Sequence, residues 1–345
     1  MHVREARRED NEALVALAAQ CPMNGDLSIC VDRHPDFFAL SQLAGDPLRI
    51  GVIDGEQGPI ACVGVARRQV YLDRRPSQLA YLGDLKVHPA HRRQGAGRAL
   101  AKWAIATARD LAGDDTPLLA TVLAGNNAVT SLQRDVPGVL RRATVRSHSI
   151  SLLWKRRLPQ TELTVRPAVL ADAPDMAALW RQLASPRQFA PIHESFPILT
   201  PGLDYLLAHH PNGELAGFVG LWDQHRIKQM RVTGYSPRLA TARVAFNVVA
   251  PLFRAPMLPS PGGALNYRTV VNPCAPDSQT LRTLLLHACH QLRGRYSFLT
   301  IGLDTRDPLS QALAGMLAQP TDVDVLVLGE PPGSAIPVHI EIATV

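Results

Sequence analysis

The sequence predicts an α/β protein of two tandem domains, each with a mixed sheet flanked by helices. Three observations support this architecture: the length of the chain, an internal repeat, and an alternation of strand-like and helix-like segments. The chain has 345 residues, and a domain commonly holds roughly 100–200 residues. Its composition, 46% hydrophobic and 19% charged, is that of a globular protein rather than a disordered one.

The internal repeat is clearest at the start of each half. Residues 3–17 match residues 165–179 at six positions. Each segment is typical of a strand followed by a helix that an aspartate caps, because a carboxylate accepts hydrogen bonds from the free N–H groups of a first helical turn. The matched pairs are Val3 with Val165, Arg4 with Arg166, Ala6 with Ala168, Asp10 with Asp172, Ala16 with Ala178 and Leu17 with Leu179.

A second match, in the same order along the chain, places Val87-His88-Pro89 over Val271-Asn272-Pro273. Each tripeptide ends an apolar strand and precedes an amphipathic helix. Two matches in one order favour duplication over chance. We therefore expect two domains, at 1–158 and 162–345.

The first half alternates strand and helix signals. A helix is predicted from Leu100 to Leu111, where apolar residues recur at the spacing of one helical face. A short helix near 127–134 and a closing strand pair near 139–154 complete the predicted layer. The other predicted strands are 49–53, 59–72, 79–88 and 118–123, the first two joined as a hairpin.

The second half repeats this outline less cleanly. Ten prolines between Ser185 and Pro261 predict irregular connections or an insertion, with a helix at 239–249. The later predicted elements are strands at 265–271, 298–303, 323–328 and 338–342 and helices at 278–293 and 309–317.

Cysteine content and hydropathy exclude several classes of protein. Five cysteines without a C-x-x-C pair indicate neither a disulfide framework nor a zinc site, so we expect no metal and a reducing, cytoplasmic location. No stretch approaches 18 apolar residues, and the first ten residues alternate charges where a secretory signal is apolar. We expect no membrane association.

The positive charge is concentrated in the first half. Residues 1–160 carry 22 basic and 16 acidic residues, whereas residues 161–345 carry 14 of each. A general preference for arginine, with 32 arginines against four lysines, is one explanation, and an anionic ligand of the first half is the other. Nucleic acid is not favoured, because no basic run is interleaved with aromatic residues.

The segment from Tyr81 to Leu100 predicts an anion site. It places a basic, glycine-rich turn between a strand and a helix. The free N–H groups and the dipole at a helix N-terminus favour a phosphate there. Gly95 and Gly97 let an anion approach the backbone. The side chains predicted to add charge-assisted hydrogen bonds are Arg92, Arg93 and Arg98.

Two common phosphate loops do not fit this turn. A dinucleotide-binding loop requires a third glycine at position 100, which is leucine. A Walker loop requires lysine and then serine or threonine after its last glycine, where Arg98-Ala99 stand.

The turn instead resembles the acetyl-CoA loop of the GNAT acetyltransferase superfamily, whose pattern R/Q-x-x-G-x-G/A is met by Arg92, Gly95 and Gly97. Leu85-Lys86-Val87-His88-Pro89 also resembles the fourth strand of that family. The resemblance covers residues 1–155 and implies a twisted, mostly antiparallel mixed sheet and acetyl-CoA as acyl donor. The residues that it assigns to the coenzyme are Leu85, Lys86, Val87, Arg92, Arg93, Gln94, Gly95, Ala96, Gly97, Arg98, Asn126 and Asn127.

The second half resembles a degenerate GNAT-like copy. Its positions equivalent to Gly95 and Gly97 are expected to be Gln279 and Leu281, so the phosphate cradle is predicted to be absent there. We expect one coenzyme site per chain, with the second domain shaping or covering the acceptor cleft.

The implied reaction is direct transfer of an acyl group to an amine. An alkylammonium with a pKa near 10.4 is deprotonated about one time in 2,500 at pH 7, a handicap of about 4.6 kcal/mol that a base or a water relay must offset. Asp84 is the preferred base if desolvation raises its pKa, and His88 is the second candidate. Each also has a structural alternative: an arginine partner or turn cap for Asp84, a surface position for His88. The resemblance makes the Val87 N–H the oxyanion donor, worth about 3–4 kcal/mol.

One departure from the family concerns the general acid. The family often places a tyrosine on the helix after the asparagine, and here that place falls at Leu132 or Gln133. Tyr71 and Tyr81 are substitutes, or else strand residues with bonded hydroxyls. The leading function is acyl-CoA-dependent N-acylation of a small amine or amino acid, by a monomer or a homodimer. A catalytically silent acyl-CoA-binding regulator, or an enzyme acting on a protein lysine or N-terminus, is the alternative.

Overall fold

The computed structural model describes residues 1–126, 136–253, 255–329 and 335–344. The α-helices in this part of the chain are α1 (Asn11–Ala19), α2 (Phe37–Gln42), α3 (Ala96–Ala112), α4 (Ala173–Ala184), α5 (Pro237–Val249) and α6 (Ser278–Leu292). The strands are β1 (Arg4–Glu5), β2 (Leu27–Asp32), β3 (Leu48–Gly55), β4 (Gly58–Leu72), β5 (Arg75–Val87), β6 (Leu118–Leu123), β7 (Val139–Ser151), β8 (Thr164–Pro167), β9 (Leu203–His209), β10 (Leu215–Trp222), β11 (Gln229–Tyr235), β12 (Tyr267–Cys274), β13 (Phe298–Asp304) and β14 (Ala318–Leu328).

Twelve of these strands form one sheet that runs through both halves of the chain. Its order is β1-β3-β4-β5-β6-β14-β7-β13-β12-β10-β9-β8. The pairs β5–β6 and β12–β13 are parallel and the others in this order are antiparallel. The predicted α/β class, with a mixed and mostly antiparallel sheet flanked by helices in each half, is therefore confirmed.

The two halves exchange strands at the centre of this sheet. The strand β14 of the second half lies between β6 and β7 of the first, and β7 lies between β14 and β13 of the second. The predicted closing strand pair near 139–154 is wrong, because 139–151 form one long strand whose two neighbours are distant in sequence. The predicted boundary near residue 160 falls between β7 and β8, but the sheet continues across it.

Both halves begin with the same ion pair, as the repeat predicted. Arg4 contacts Asp10 at 2.8 Å, and Arg166 contacts Asp172 at 2.7 Å. Each aspartate also accepts a 2.7 Å hydrogen bond from the N–H three residues earlier. The carboxylates thus close a short 3-10 turn before α1 and α4, rather than capping those helices directly as expected.

The second sequence match is wrong in its register. In β5, Asp84 and Leu85 bulge opposite a single β4 residue, and Asp84 has φ +55°. In β12, Asn272 and Pro273 bulge in the same way opposite β10, and Asn272 has φ +48°. The structural counterpart of Asn272 is therefore Asp84, not His88. A bulge is a property of strand pairing, which similarity between short apolar segments does not reveal.

The proline-rich part of the second half supplies two elements outside the twelve-stranded sheet, β11 and α5. The strand β11 pairs with β2 of the first half in a separate two-stranded sheet. An ion pair of 2.5 Å between Arg231 and Asp32 joins the same strands. This part of the second half thus contacts the half of the chain that carries the glycine-rich turn.

Two later predictions are also corrected. The helix expected at 309–317 is a 3-10 helix, Pro308–Leu313, because β14 begins at Ala318 and shortens the segment. The strand expected at 338–342 makes a single bridge, from Val338 to Gln188. The short helix expected near 127–134 lies outside the described residues.

Helices pack on both faces of the twelve-stranded sheet. On one face, α3 buries an apolar stripe against β4 and β5, with Leu100 and Ala104 fully buried. On the other face, α1 and α2 pack over β3 and β4 through Leu14 and Phe37. In the part of the chain that the structure describes, no helix is long and apolar enough to cross a membrane.

Candidate active site

The strands β5 and β6 open a gap near the end of β5. They pair at three positions, the last joining Leu82 to Ala120. On its other side, β5 continues along β4 to the pair Val87–Ala61, and the His88 N–H donates to the Ile60 carbonyl at 2.8 Å. That bond makes Val87–Ala61 a non-hydrogen-bonded pair, in which the N–H and C=O groups point away from the partner strand. The Val87 N–H therefore faces the gap.

The segment after β5 forms the predicted turn and leads into α3. Arg93 and Gly95 have φ values of +62° and +91°, a region that favours glycine. The helix begins at Ala96, and its first internal bond is from the Ala99 N–H to the Gly95 carbonyl at 3.0 Å. The N–H groups of residues 96–98 precede that bond and have no acceptor within the helix. This is the geometry of an anion site at a helix N-terminus.

The side chains of the turn lie around this helix start. Arg92 donates through Nε to the Val87 carbonyl at 3.2 Å, which ties the turn to the strand end. Gln94 donates to the Ala90 carbonyl at 3.4 Å. Arg93, Gln94 and Arg98 are exposed. The predicted cradle residues from Arg92 to Arg98 thus lie around the start of α3. Ala96, the first residue of that helix, is buried.

The remaining residues that the resemblance assigns to the coenzyme are Leu85, Lys86, Asn126 and Asn127. Leu85 is 38% exposed at the bulge, and Lys86 contacts Asp84 instead of pointing into the turn. Asn126 follows β6 and donates its backbone N–H to the Leu123 carbonyl at 3.2 Å. Asn127, like Leu132 and Gln133, lies outside the described residues.

The second half lacks this turn. The helix α6 begins six residues after the bulge residue Asn272, whereas α3 begins twelve residues after Asp84. The residue before α6 is Asp277, whose carboxylate accepts a 2.7 Å hydrogen bond from the Thr280 N–H. Counted from the helix starts, Asp277 corresponds to Gly95 and Gln279 to Gly97, two residues from the predicted alignment. A negative charge thus occupies the place of the anion site.

Asp84 lies in a cluster of charges beside the gap. Its Oδ2 accepts hydrogen bonds from Arg33 Nη2 and, at 3.3 Å, from Ser41 Oγ, and its Oδ1 contacts Lys86 Nζ at 2.6 Å. Burial alone would raise the pKa of Asp84, but the Arg33 guanidinium and the Lys86 ammonium outweigh it and hold that pKa well below its usual range. Asp84 therefore does not meet the condition of a raised pKa on which its role as general base was predicted, because its two cationic partners make it a weaker proton acceptor.

The His88 side chain stabilises the start of the turn that follows β5. Its Nδ1 accepts a 3.3 Å hydrogen bond from the Ala90 N–H and caps the short 3-10 helix Pro89–His91. This geometry matches the structural alternative for His88 rather than the catalytic one. Tyr81 is likewise a strand residue with a bonded hydroxyl, 2.9 Å from Thr121 Oγ1.

We predict that Asp84→Asn destabilises the fold by about 3–5 kcal/mol, because it leaves the buried Arg33 charge without its carboxylate. The ionised Asp84 contributes its full stability above the pKa of an unfolded aspartate, near 4, and this contribution is lost as the pH falls towards the depressed folded-state pKa. Urea unfolding of wild type and variant at pH 7 and pH 3 measures both effects. A variant as stable as the wild type at pH 7 would contradict the prediction.

A small cavity lies on the other side of Asp84, between the two halves. Its volume is about 30 Å³, and its lining includes Arg33, Ser41, Tyr81 and Asp84 of the first half and Thr344 of the second. Thr344 belongs to a last 3-10 helix, Ile342–Thr344. The second half thus contributes part of the wall of this cavity.

Sequence reasoning missed three polar residues of this region. Arg33 and Ser41 come from the segment around α2, and Lys228 lies just before β11. Lys228 is 3% exposed and donates to the Ala343 carbonyl at 3.2 Å. Burial, with the charges of Arg33 and Lys86, lowers the pKa of Lys228 to about 7. The only signal in the sequence was that Lys228 is one of four lysines.

Residues 12–132 match the profile of the acetyltransferase (GNAT) family. This match lies within the first half of the chain and supports the resemblance of that half to GNAT acetyltransferases. The matched range includes the bulge, the turn and α3, which are the residues that carried the resemblance. No curated protein sequence matches the chain. Among the described residues, no three His, Cys, Asp or Glu side chains are grouped to hold a metal ion.

Solved structures similar in fold to this protein cover both of its halves. A GCN5-related N-acetyltransferase from Anabaena variabilis is 13% identical, with a TM-score of 0.56, over 94% of this chain and 72% of that one. Saccharomyces cerevisiae N-myristoyltransferase with bound myristoyl-CoA is 11% identical, with a TM-score of 0.61, over 95% and 84%. A probable N-acyltransferase from Enterococcus faecalis is 11% identical, with a TM-score of 0.54, over 94% and 72%. At these identities the likeness establishes the fold.

Proposed function

We propose that this protein is an acyl-CoA-dependent N-acyltransferase that transfers an acetyl group from acetyl-CoA to the amine of a small molecule. One observation carries the proposal: the open N-terminus of α3 and the Val87 N–H border the same opening at the end of β5. A coenzyme whose diphosphate binds residues 92–98 would extend its thioester towards that N–H. The family match supports acyl-CoA as the donor.

The residues of the site would divide the chemistry between them. The N–H groups of residues 96–98 and the nearby arginines bind the diphosphate. The Val87 N–H stabilises the oxyanion that forms as the amine attacks the thioester carbon. The carbon–sulfur bond then breaks and the CoA thiolate leaves. Asp84, held ionised by Arg33 and Lys86, organises the acceptor side, and the amine proton departs through water.

Acetyl is proposed over longer acyl groups because the family model that matches the first half is that of acetyltransferases. The myristoyl-CoA of the yeast neighbour belongs to that protein. Comparing acetyl-CoA with myristoyl-CoA as donors tests the assignment.

We predict that the protein releases free thiol from acetyl-CoA only in the presence of a suitable amine. The test incubates it with acetyl-CoA and a panel of small amines, amino acids and lysine peptides, and follows free thiol by absorbance and acetylated product by mass spectrometry. Binding of CoA by calorimetry without thiol release for any acceptor would favour the alternative of a silent regulatory module. The missing tyrosine at Leu132 or Gln133 motivates that alternative.

A further inference from the structure

The helix α5 of the second half presents an apolar side to solvent. Within α5, all of whose residues the structure describes, no side chain is buried. Its inward side includes polar groups: Arg243 stacks over the Tyr235 ring at 5.5 Å, and the Asn247 amide exchanges hydrogen bonds of 2.8 and 2.9 Å with the Leu258 backbone. A surface helix normally has the reverse arrangement, with its apolar residues turned inward.

Val244, Val248 and Leu252 form the centre of this outward side. They recur at intervals of four residues, which places them on one side of a helix, and they are 57%, 73% and 81% exposed. Leu252 lies on the 3-10 helix Ala250–Phe253 that continues α5. We call these three residues and their exposed neighbours on α5 the α5 face; the neighbours are Arg238, Thr241, Ala242, Ala245 and Val249.

The segment that contains the α5 face is basic. Residues 224–276 include six arginines, one lysine and no aspartate or glutamate, although residues 161–345 as a whole carry 14 basic and 14 acidic residues. Arg226 and Arg238 are exposed. A basic surface attracts an anionic partner, and like charges oppose its association with a second copy of itself.

An aromatic and basic edge adjoins the α5 face. Trp154 is 45% exposed, and its ring packs edge-on against Phe253, the residue after Leu252, with ring centroids 5.3 Å apart. Lys155 and Arg157 follow Trp154 and are also exposed. Tryptophan is typical of the boundary between lipid and water, and basic side chains near that boundary bind anionic headgroups.

We propose that the α5 face docks this protein on an anionic lipid surface. Its aliphatic side chains would enter the boundary between headgroups and acyl chains, and Arg238, Lys155 and Arg157 would contact lipid phosphates. The expectation of no membrane association rested on spanning and secretory segments, and a helix that lies in the interface needs neither. These residues lie outside the proposed acyl-transfer site, so the inference goes beyond that function and does not depend on it.

Flotation with lipid vesicles tests the proposal. We expect the protein to bind vesicles of phosphatidylcholine that contain about one third phosphatidylglycerol, but not vesicles of phosphatidylcholine alone, and this binding should weaken as salt is added. Val248→Asp and Leu252→Asp should each weaken it by about 10-fold or more, because partition scales with the apolar area that enters the lipid. Leu199→Asp is the matched control: Leu199 is 77% exposed and lies outside the α5 face, so this variant should bind as the wild type does.

Folding does not confound these variants, because the replaced side chains are exposed. Their melting temperatures and acetyl-CoA affinities should equal those of the wild type. Failure to bind the anionic vesicles, or binding that Val248→Asp and Leu252→Asp retain, would overturn the proposal. A dimer in light scattering that Leu252→Asp abolishes would also overturn it, by assigning the α5 face to a second copy of the chain.

Discussion

Gly97→Trp should weaken acetyl-CoA binding at least 100-fold. Gly97 is the second residue of α3, and side chains on a helix lean towards its N-terminus. An indole at this position would cover the N–H groups of residues 96–98, where the diphosphate is proposed to bind. A 100-fold loss corresponds to about 2.7 kcal/mol, the value of one or two hydrogen bonds to a charged group. Calorimetry with CoA measures the loss directly.

Gln279→Trp provides the matched control for this substitution. Gln279 is the second residue of α6, where Asp277 supplies a carboxylate cap instead of an open N-terminus. The same indole at the same helical position should leave CoA affinity within about twofold. If Gly97→Trp bound CoA as tightly as Gln279→Trp, the assignment of the coenzyme to α3 would be wrong.

Local patterns in the sequence were sufficient to predict the glycine-rich turn before α3. Spacing placed Gly95 and Gly97 at a strand-to-helix turn, and the structure puts Gly95 at φ +91° directly before α3. The ion pairs Arg4–Asp10 and Arg166–Asp172 were likewise within reach of a repeat search, because each forms inside a segment of seven residues. Turns and ion pairs of this kind form between residues that are close in sequence, so a single sequence is enough to predict them.

Contacts between distant segments could not be predicted in this way. The pKa of Asp84 is lowered against the effect of burial by Lys86, a near neighbour in sequence, and by Arg33, 51 residues earlier, so the sequence did not show the Arg33 partner. Lys228 reaches the same cluster through a strand, β11, that pairs with β2 about 200 residues away. The exchange of β7 and β14 is of the same kind, since each strand has an ordinary alternating pattern that does not specify its neighbours.

Because the two halves exchange strands, residues 1–158 expressed alone should neither unfold cooperatively nor bind acetyl-CoA. Without β14, the facing edges of β6 and β7 lose their shared partner. The fragment also loses Val325 and Val327, both fully buried in the core that contains Tyr81 and Val145. These side chains alone contribute on the order of 5 kcal/mol, a large part of the 5–15 kcal/mol that stabilises a domain.

Cleaving the chain between the halves tests whether the first half needs the strand β14 itself or only a covalent link to the second half. A protease site inserted near residue 160, between β7 and β8, lies outside every named strand and helix. After cleavage, the two pieces should remain associated through the β6–β14–β7–β13 pairings, with CoA affinity and melting temperature close to those of the intact chain. A fragment 1–158 that binds acetyl-CoA with wild-type affinity would show that the first half completes its site unaided. Dissociation of the cleaved chain would show that the central pairings are weaker than their burial implies. The contrast between an inactive fragment and an active cleaved chain follows only if the central strands, rather than the linker, hold the site together.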